Sequence, residues 1–241
     1  PPQRRRALLI GINYLRTPNQ LGGCITDTRF MQHLLRTKFS FRDEDILMLN
    51  EEQANPYQIP TRQNILMGIS WLTAGLQPGD SLVFLYSGHG GQSRDTAGDE
   101  WDGMNETLLP LDHGRAGQIV DDELNARMVA PLPAGVTMTC FVDACHSGSI
   151  LDLPYQITPK GGALSPWLQA SRVFKSTAGG LCVCFSGCED AQTSADTSKL
   201  ARGQATTGAM LYSFVSSVES GRCGTYGELL LSMDAVIRGA L

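Results

Sequence analysis

Five short, mostly apolar runs constrain this chain more than any other feature. Ala7–Ile12, Ile46–Leu49, Leu82–Ser87, Thr137–Val142 and Leu181–Ser186 are continuous rather than alternating, the pattern of strands covered on both faces. Helical periodicity fills the spaces between them. Thr26 or Asp27 can cap a helix with Phe30, Met31, Leu34 and Leu35 on one face, and Thr61 opens a capping pattern ahead of Ile65, Leu66, Ile69 and Leu72. The pattern predicts a shorter helix at Asp121–Val129 and two more at Ala209–Val218 and Tyr226–Ile237. Strands alternating with helices imply right-handed crossovers and an α/β fold, with a mainly parallel sheet between helical layers. In such sheets sites gather beyond the carboxyl ends of the strands. That rule points to Ser87–Gly91 and Asp143–Gly148.

The 241 residues suit one large domain, 1–241, and a 42% hydrophobic content supplies a core and excludes whole-chain disorder. Ala7–Ile10 and Leu82–Tyr86 are too short to cross a bilayer, and Arg4–Arg6 leads into too brief an apolar stretch for a signal peptide. Membrane partners are therefore not expected. Nineteen basic against twenty-four acidic residues give −5, which argues against nucleic-acid binding. Arg4–Arg6 reads as a solvated terminal run, with a nuclear address as the alternative. Seven cysteines without any CxxC pair argue against a four-thiolate zinc site and fit free thiols in a reducing compartment, cytoplasmic or nuclear.

Gly91–Leu109, Asp152–Gly180 and Glu189–Gly208 read as loops. The second is long enough to be either a functional loop or a processing linker. It divides the domain into a first part, 1–152, a linker, 153–180, and a second part, 181–241.

Two strand ends carry groups suited to nucleophilic catalysis. Tyr86-Ser87-Gly88-His89-Gly90-Gly91 sets a histidine between glycines, and Asp143-Ala144-Cys145-His146-Ser147-Gly148 sets a cysteine at the matching place. A thiol nucleophile needs an imidazole to take its proton, and neighbouring glycines let a substrate backbone approach and supply amide donors to an oxyanion. Cys145 lies 56 positions after His89, a spacing close to that of caspase-type enzymes. Alone, His89 is an ordinary loop histidine and Cys145 a structural thiol; together at two strand ends they form a candidate dyad. His146 is the competing base, but neighbours on a turn usually point apart, which favours His89.

These two motifs resemble the catalytic motifs of metacaspases, caspase-like cysteine peptidases. Further similarity runs through Leu8-Leu9-Ile10-Gly11-Ile12-Asn13-Tyr14, Leu21-Gly22-Gly23-Cys24, Ile119-Val120-Asp121-Asp122-Glu123, Leu151-Asp152-Leu153-Pro154, Ser186-Gly187-Cys188 and Gln192-Thr193-Ser194-Ala195-Asp196. Lacking a long insertion before Ser186, the chain resembles type I members. The resemblance implies a caspase-like three-layer α/β/α sandwich, a prodomain before Pro1 and a last strand after Leu241. It also implies cleavage of peptides and proteins after Arg or Lys by a monomer, with His89 and Cys145 as the catalytic pair. The amides of Gly90 and Cys145 would form the oxyanion hole, and Cys24, Asp27, Ser87 and Asp143 would line the substrate pocket. Two carboxylates there suit a cationic side chain and repel an acidic one. The plainer roles are a helix N-cap for Asp27 and a turn-orienting residue for Asp143.

Acidic residues cluster at Asp95, Asp99, Glu100, Asp102, Glu106, Asp121, Asp122, Glu123 and Asp152. Without EF-hand spacing, sequence alone makes this a solvated acidic loop. The resemblance implies an activating Ca2+ site at Asn105, Asp121, Asp122 and Asp152. Asn105 stands where the family normally has Asp, which keeps a carbonyl ligand but removes a charge and weakens the expected affinity; Asp102 or Glu106 can compensate. Linker cations Lys160, Arg172 and Lys175 fit the implied specificity, so calcium-triggered self-cleavage is expected at Arg172 or Lys175. The alternatives are a related cysteine peptidase of other specificity, or a scaffold that keeps the fold with an idle dyad.

Overall fold

A computed structural model describes residues 3–98, 100–145, 147–187, 208–221 and 223–240. Asp99, His146, Cys188 and the Gln192–Asp196 motif, with most of the expected Glu189–Gly208 loop, lie outside the described residues. The core is a five-stranded sheet built from β1 (Arg5–Gly11), β2 (Ile46–Asn50), β3 (Ser81–Ser87), β7 (Thr137–Asp143) and β12 (Leu181–Ser186). Its order is β12-β7-β3-β1-β2, with every neighbouring pair parallel. Side chains alternate between the faces. Leu8, Ile10, Phe84, Tyr86, Cys140 and Val142 pack in one apolar layer with α2 (Arg62–Leu72), and Ala7, Leu9, Leu85 and Phe141 in a second. The second layer is covered by α1 (Cys24–Phe39), α3 (Ala209–Glu219) and α4 (Tyr226–Ala240). Both faces of the inner strands β1, β3 and β7 are buried, and the edge strands β2 and β12 are mostly half-buried, which is why the strands read as unbroken apolar runs. The result is an α/β/α sandwich.

Thr61 caps α2 as its pattern predicts, accepting the Asn64 amide at 3.3 Å. The start of α1 differs from expectation. Gly23, in a left-handed conformation, precedes Cys24, and neither Thr26 nor Asp27 is the cap. Asp27 lies inside the first turn, 1% exposed, so its carboxylate faces other partners. The Asp121–Val129 segment is helical in two pieces, an α-turn, Asp121–Leu124, and a π-turn, Asn125–Val129. Its Leu124, Met128 and Val129 are fully buried in the α2 layer.

Two expected loops contain strands. Gly91–Leu109 holds β4 (Gly90–Arg94) and β5 (Met104–Leu108), an antiparallel pair extended by β6 (Ile119–Val120). The linker holds β8 (Tyr155–Gln156) paired with β11 (Leu168–Gln169), and β9 (Pro159–Lys160) paired with β10 (Ala163–Leu164). Of the Arg4–Arg6 run expected to be solvated, Arg5 is exposed, whereas Arg4 and Arg6 are half-buried and partnered. Arg4 pairs with buried Asp80 at 3.1 Å, and Arg6 stacks over the Trp71 ring at 5.3 Å while donating to the Trp71 carbonyl at 2.8 Å. Those contacts tie the start of β1 to the base of β3 and the end of α2.

Candidate active site and acidic cluster

The parallel order lays the carboxyl ends of β1, β3 and β7 side by side, with Gly11 opposite Ser87 and Ser87 opposite Asp143. The His89 and Cys145 loops therefore leave adjacent strands. They meet at the main chain: a methyl on Gly90 would collide with the Cys145 carbonyl oxygen and crowd the Ala144 side chain. Only glycine permits that approach. Both His89 and Cys145 are half-buried, and the thiol is free.

The orientation of His89 comes from the segment 13–19, of which the motifs above include only Asn13 and Tyr14. Its Nε2 lies 2.7 Å from the Asn19 carbonyl oxygen. A carbonyl only accepts, so Nε2 carries the hydrogen and, in the neutral ring, Nδ1 carries the lone pair. The Tyr14 ring lies 4.6 Å from the imidazole, and the His89 amide donates to the Tyr14 hydroxyl at 3.0 Å. Tyr86 donates to the His89 carbonyl at 2.9 Å. Burial pushes both phenols above their ordinary range, so they remain neutral donors. Behind them, the Glu51 carboxylate collects three amides of the same segment: Asn13 at 2.6 Å, Tyr14 at 3.0 Å and Leu15 at 2.7 Å. Tyr14 and Arg16 hold positive φ, at 50° and 63°, a conformation that costs energy for residues with side chains and persists where neighbours enforce it. Glu51 follows β2 directly, so the carboxyl-end rule extended to that strand points to it. A backbone acceptor such as Asn19 leaves no residue-type signal.

The four pocket candidates gather at the same strand ends. Ser87 donates to Oδ2 of Asp27 at 2.6 Å, and the Gly208 amide donates to its Oδ1 at 3.1 Å. A methyl on Gly208 would strike Oδ2 of Asp143 and lie 3.3 Å from Oδ2 of Asp27, so one glycine borders both carboxylates. Asp143 is 5% exposed, and Cys24 is buried at the first turn of α1. Two surface clefts lie elsewhere, one of about 670 Å³ along Arg62, Leu66, Met67 and Asp112, the other of about 360 Å³ along Gln3, Arg5 and Phe41. Neither touches the strand-end residues.

The acidic cluster forms on the β5 side. Asp121, Asp122 and Asp152 present oxygens within 4.8 Å of one another, and Asp121 does the same with Glu100 and Glu106. Asn105 joins them through its amide, 3.4 Å from Oδ2 of Asp122. This is no solvated loop: Asp121, Asp152, Glu100 and Glu106 are all buried. Burial and the neighbouring Asp152 push Asp121 up to about 8 and Glu100 up to about 9. Asp152 is raised by burial too, against the opposing pull of Lys175, and its backbone holds a positive φ of 49°. Oδ1 of Asn105 and Oδ1 of Asp152 are buried and take none of the described hydrogen bonds. An all-oxygen set with like charges crowded together and acceptors left over fits a hard divalent cation. Asp102 is exposed and turns back on the Met104 amide, whereas Glu106 lies in the cluster and accepts from Ser149 at 2.5 Å. Of the two possible compensating residues, the structure brings only Glu106 to the site.

The linker candidates are both tethered. The Arg172 guanidinium lies 5.0 Å over the Trp101 ring, and the Lys175 ammonium binds Asp122 at 2.6 Å and Asp152 at 2.8 Å.

Comparison with known proteins points to one family. The family described as "Metacaspase, peptidase C14 domain" matches residues 5–154. Metacaspase-1 of Arabidopsis thaliana is 49% identical over 99% of the chain, Metacaspase-2 of the same plant 46% over 97%, and Metacaspase-1 of Schizosaccharomyces pombe 40% over 97%. The chain spans 66%, 56% and 64% of these relatives, respectively. The crystal structure of a Geobacter sulfurreducens protein superposes with a TM-score of 0.63 at 25% identity, covering 95% of this chain and 88% of that one.

Proposed function

The chain belongs to the metacaspase family, as a type I catalytic domain with the caspase-like α/β fold, and on that premise we propose that it is a calcium-activated cysteine endopeptidase cleaving after arginine or lysine. The observation that carries this reading is the convergence of Gly90 on the Cys145 main chain, beside a histidine whose Nε2 is already committed to the Asn19 carbonyl. Nδ1 is then the nitrogen left to take the Cys145 proton.

In the mechanism, His89 removes the thiol proton as Sγ of Cys145 attacks the scissile carbonyl carbon. The amides of Gly90 and Cys145 stabilise the resulting oxyanion. Collapse breaks the C–N bond, the imidazolium gives its proton to the leaving amine, and the acyl half remains as a thioester. His89 next deprotonates water, which attacks the thioester; the acid product leaves and the thiol is restored. Asp27 and Asp143 take the guanidinium or ammonium of the substrate, with Ser87 and Cys24 shaping the same pocket.

Asn105, Asp121, Asp122 and Asp152 would hold calcium, whose positive charge would relieve their mutual repulsion and order the acidic segments that carry Asn105, Asp121 and Asp122. Self-cleavage in the linker at Arg172 or Lys175, a monomeric state and a cytoplasmic location, with the nucleus as the alternative, complete the proposal.

Paired fluorogenic peptides ending in Arg and in Asp, each assayed with calcium and with EDTA, test it. Calcium-dependent cleavage of the Arg peptide, abolished by Cys145→Ala, is the expected result. Cleavage of the Asp peptide would overturn the pocket assignment, and Arg cleavage unaffected by EDTA would overturn the calcium site.

A further inference from the structure

Lys175 is remote in sequence from most of the acidic cluster yet sits within it. Its ammonium donates to Oδ1 of Asp122 and Oδ2 of Asp152, and its side chain is 18% exposed. These oxygens belong to the carboxylates that would ligate a divalent ion together with Asp121. Calcium binds oxygen at about 2.3–2.6 Å and takes six to eight ligands, so an ion using these carboxylates would compete with the ammonium for the same lone pairs. Two cations at that separation also repel strongly in a partly buried site. Arg172, three residues upstream, adds a second tether through Trp101 in the acidic loop. The segment that holds both expected cleavage residues is thus fastened at the metal site itself.

We propose that Lys175 is the built-in occupant of the cation site: its ammonium and calcium bind there in mutual exclusion, and calcium entry expels Lys175 and frees the linker around it. The inference rests on the calcium reading above and adds an intramolecular competitor to it. The apparent calcium affinity is then the intrinsic affinity multiplied by the fraction of molecules in which Lys175 is unseated. Release of the linker is a direct consequence of metal binding and needs no separate signal.

The test uses Cys145→Ala protein, so that no self-cleavage intervenes, titrated with calcium chloride in a calorimeter and followed by amide hydrogen exchange. Adding Lys175→Met should tighten calcium binding about tenfold if the seated form dominates by a similar ratio, and Lys175→Gln should do the same. Exchange across residues 171–177 should quicken when calcium is added to the Cys145→Ala protein, and should already be fast without calcium in the Lys175→Met protein. Equal or weaker binding in both Lys175 variants would overturn the inference while leaving the calcium site intact. Linker exchange that calcium slows or leaves unchanged would overturn it too. Absence of calcium binding in every protein would overturn the calcium reading along with it.

Discussion

Two pairs of aspartates, Asp27 with Asp143 and half-buried Asp122 with buried Asp152, are held in different ways. Asp27 receives its described hydrogen bonds from neutral donors, the Ser87 hydroxyl and the Gly208 amide, and shares that glycine with Asp143. Asp122 and Asp152 instead hold an ammonium of the same chain, among further carboxyls raised by burial and by one another. Neutral donors orient a carboxylate while leaving its charge for a ligand; a crowded acidic set must take up protons or a cation. On the proposed reading, the difference suits one site to the single positive charge of a substrate side chain and the other to a divalent ion.

The sharpest way to break that distinction is Asp143→Asn. Removing one pocket charge should lower kcat/KM for Arg peptides on the order of a hundredfold or more, with calcium affinity unchanged; a parallel loss of calcium binding in calorimetry would merge the two sites. Asp121→Asn addresses the other corner. Saturating calcium should raise the Tm of the unsubstituted protein by roughly 5–10 °C, from ligand linkage and the size of the domain, and that rise should vanish in the variant while Arg-peptide inhibitors still bind. Glu51→Gln touches neither carboxylate set. It disturbs the segment that presents Tyr14 and Asn19 to His89, so kcat should fall about tenfold, the scale of a misplaced catalytic group, with KM retained. Steady-state kinetics giving a changed KM and a normal kcat would contradict that role. The smallest effect is expected from Asn105→Asp, which adds a charge beside Asp122 and should tighten calcium a few-fold, roughly the weight of one partly buried charge pair.

Much of this was legible because it is periodic. The five apolar runs became the five parallel strands within one or two residues, since a strand covered on both faces has no polar position to interrupt it. His89 and Cys145 stood out because glycines and strand ends frame them. The antiparallel β4–β5 pair was less visible, because Gly91, Gln92, Ser93 and Arg94 are half-buried or exposed and carry no apolar period. Asp27 was ambiguous for another reason: an aspartate near a helix start is an ordinary cap, and only the fold shows it turned inward toward Ser87. The supports were hidden most deeply. Asn19 acts through its carbonyl, Gly208 through its amide and lack of a side chain, Glu51 through three main-chain amides, and Lys175 through contacts 23 and 53 positions away. Roles played by backbone atoms or across long separations leave little trace in residue type.

The most direct measurement exposes the protein to two irreversible thiol-directed reagents, a peptidyl-Arg and a peptidyl-Asp fluoromethyl ketone, with calcium and with EDTA, and maps the adducts by mass spectrometry. The account predicts a single adduct on Cys145, formed by the Arg reagent and only with calcium. An adduct on any other of the seven cysteines, or equal labelling of Cys145 by the Asp reagent, would contradict it.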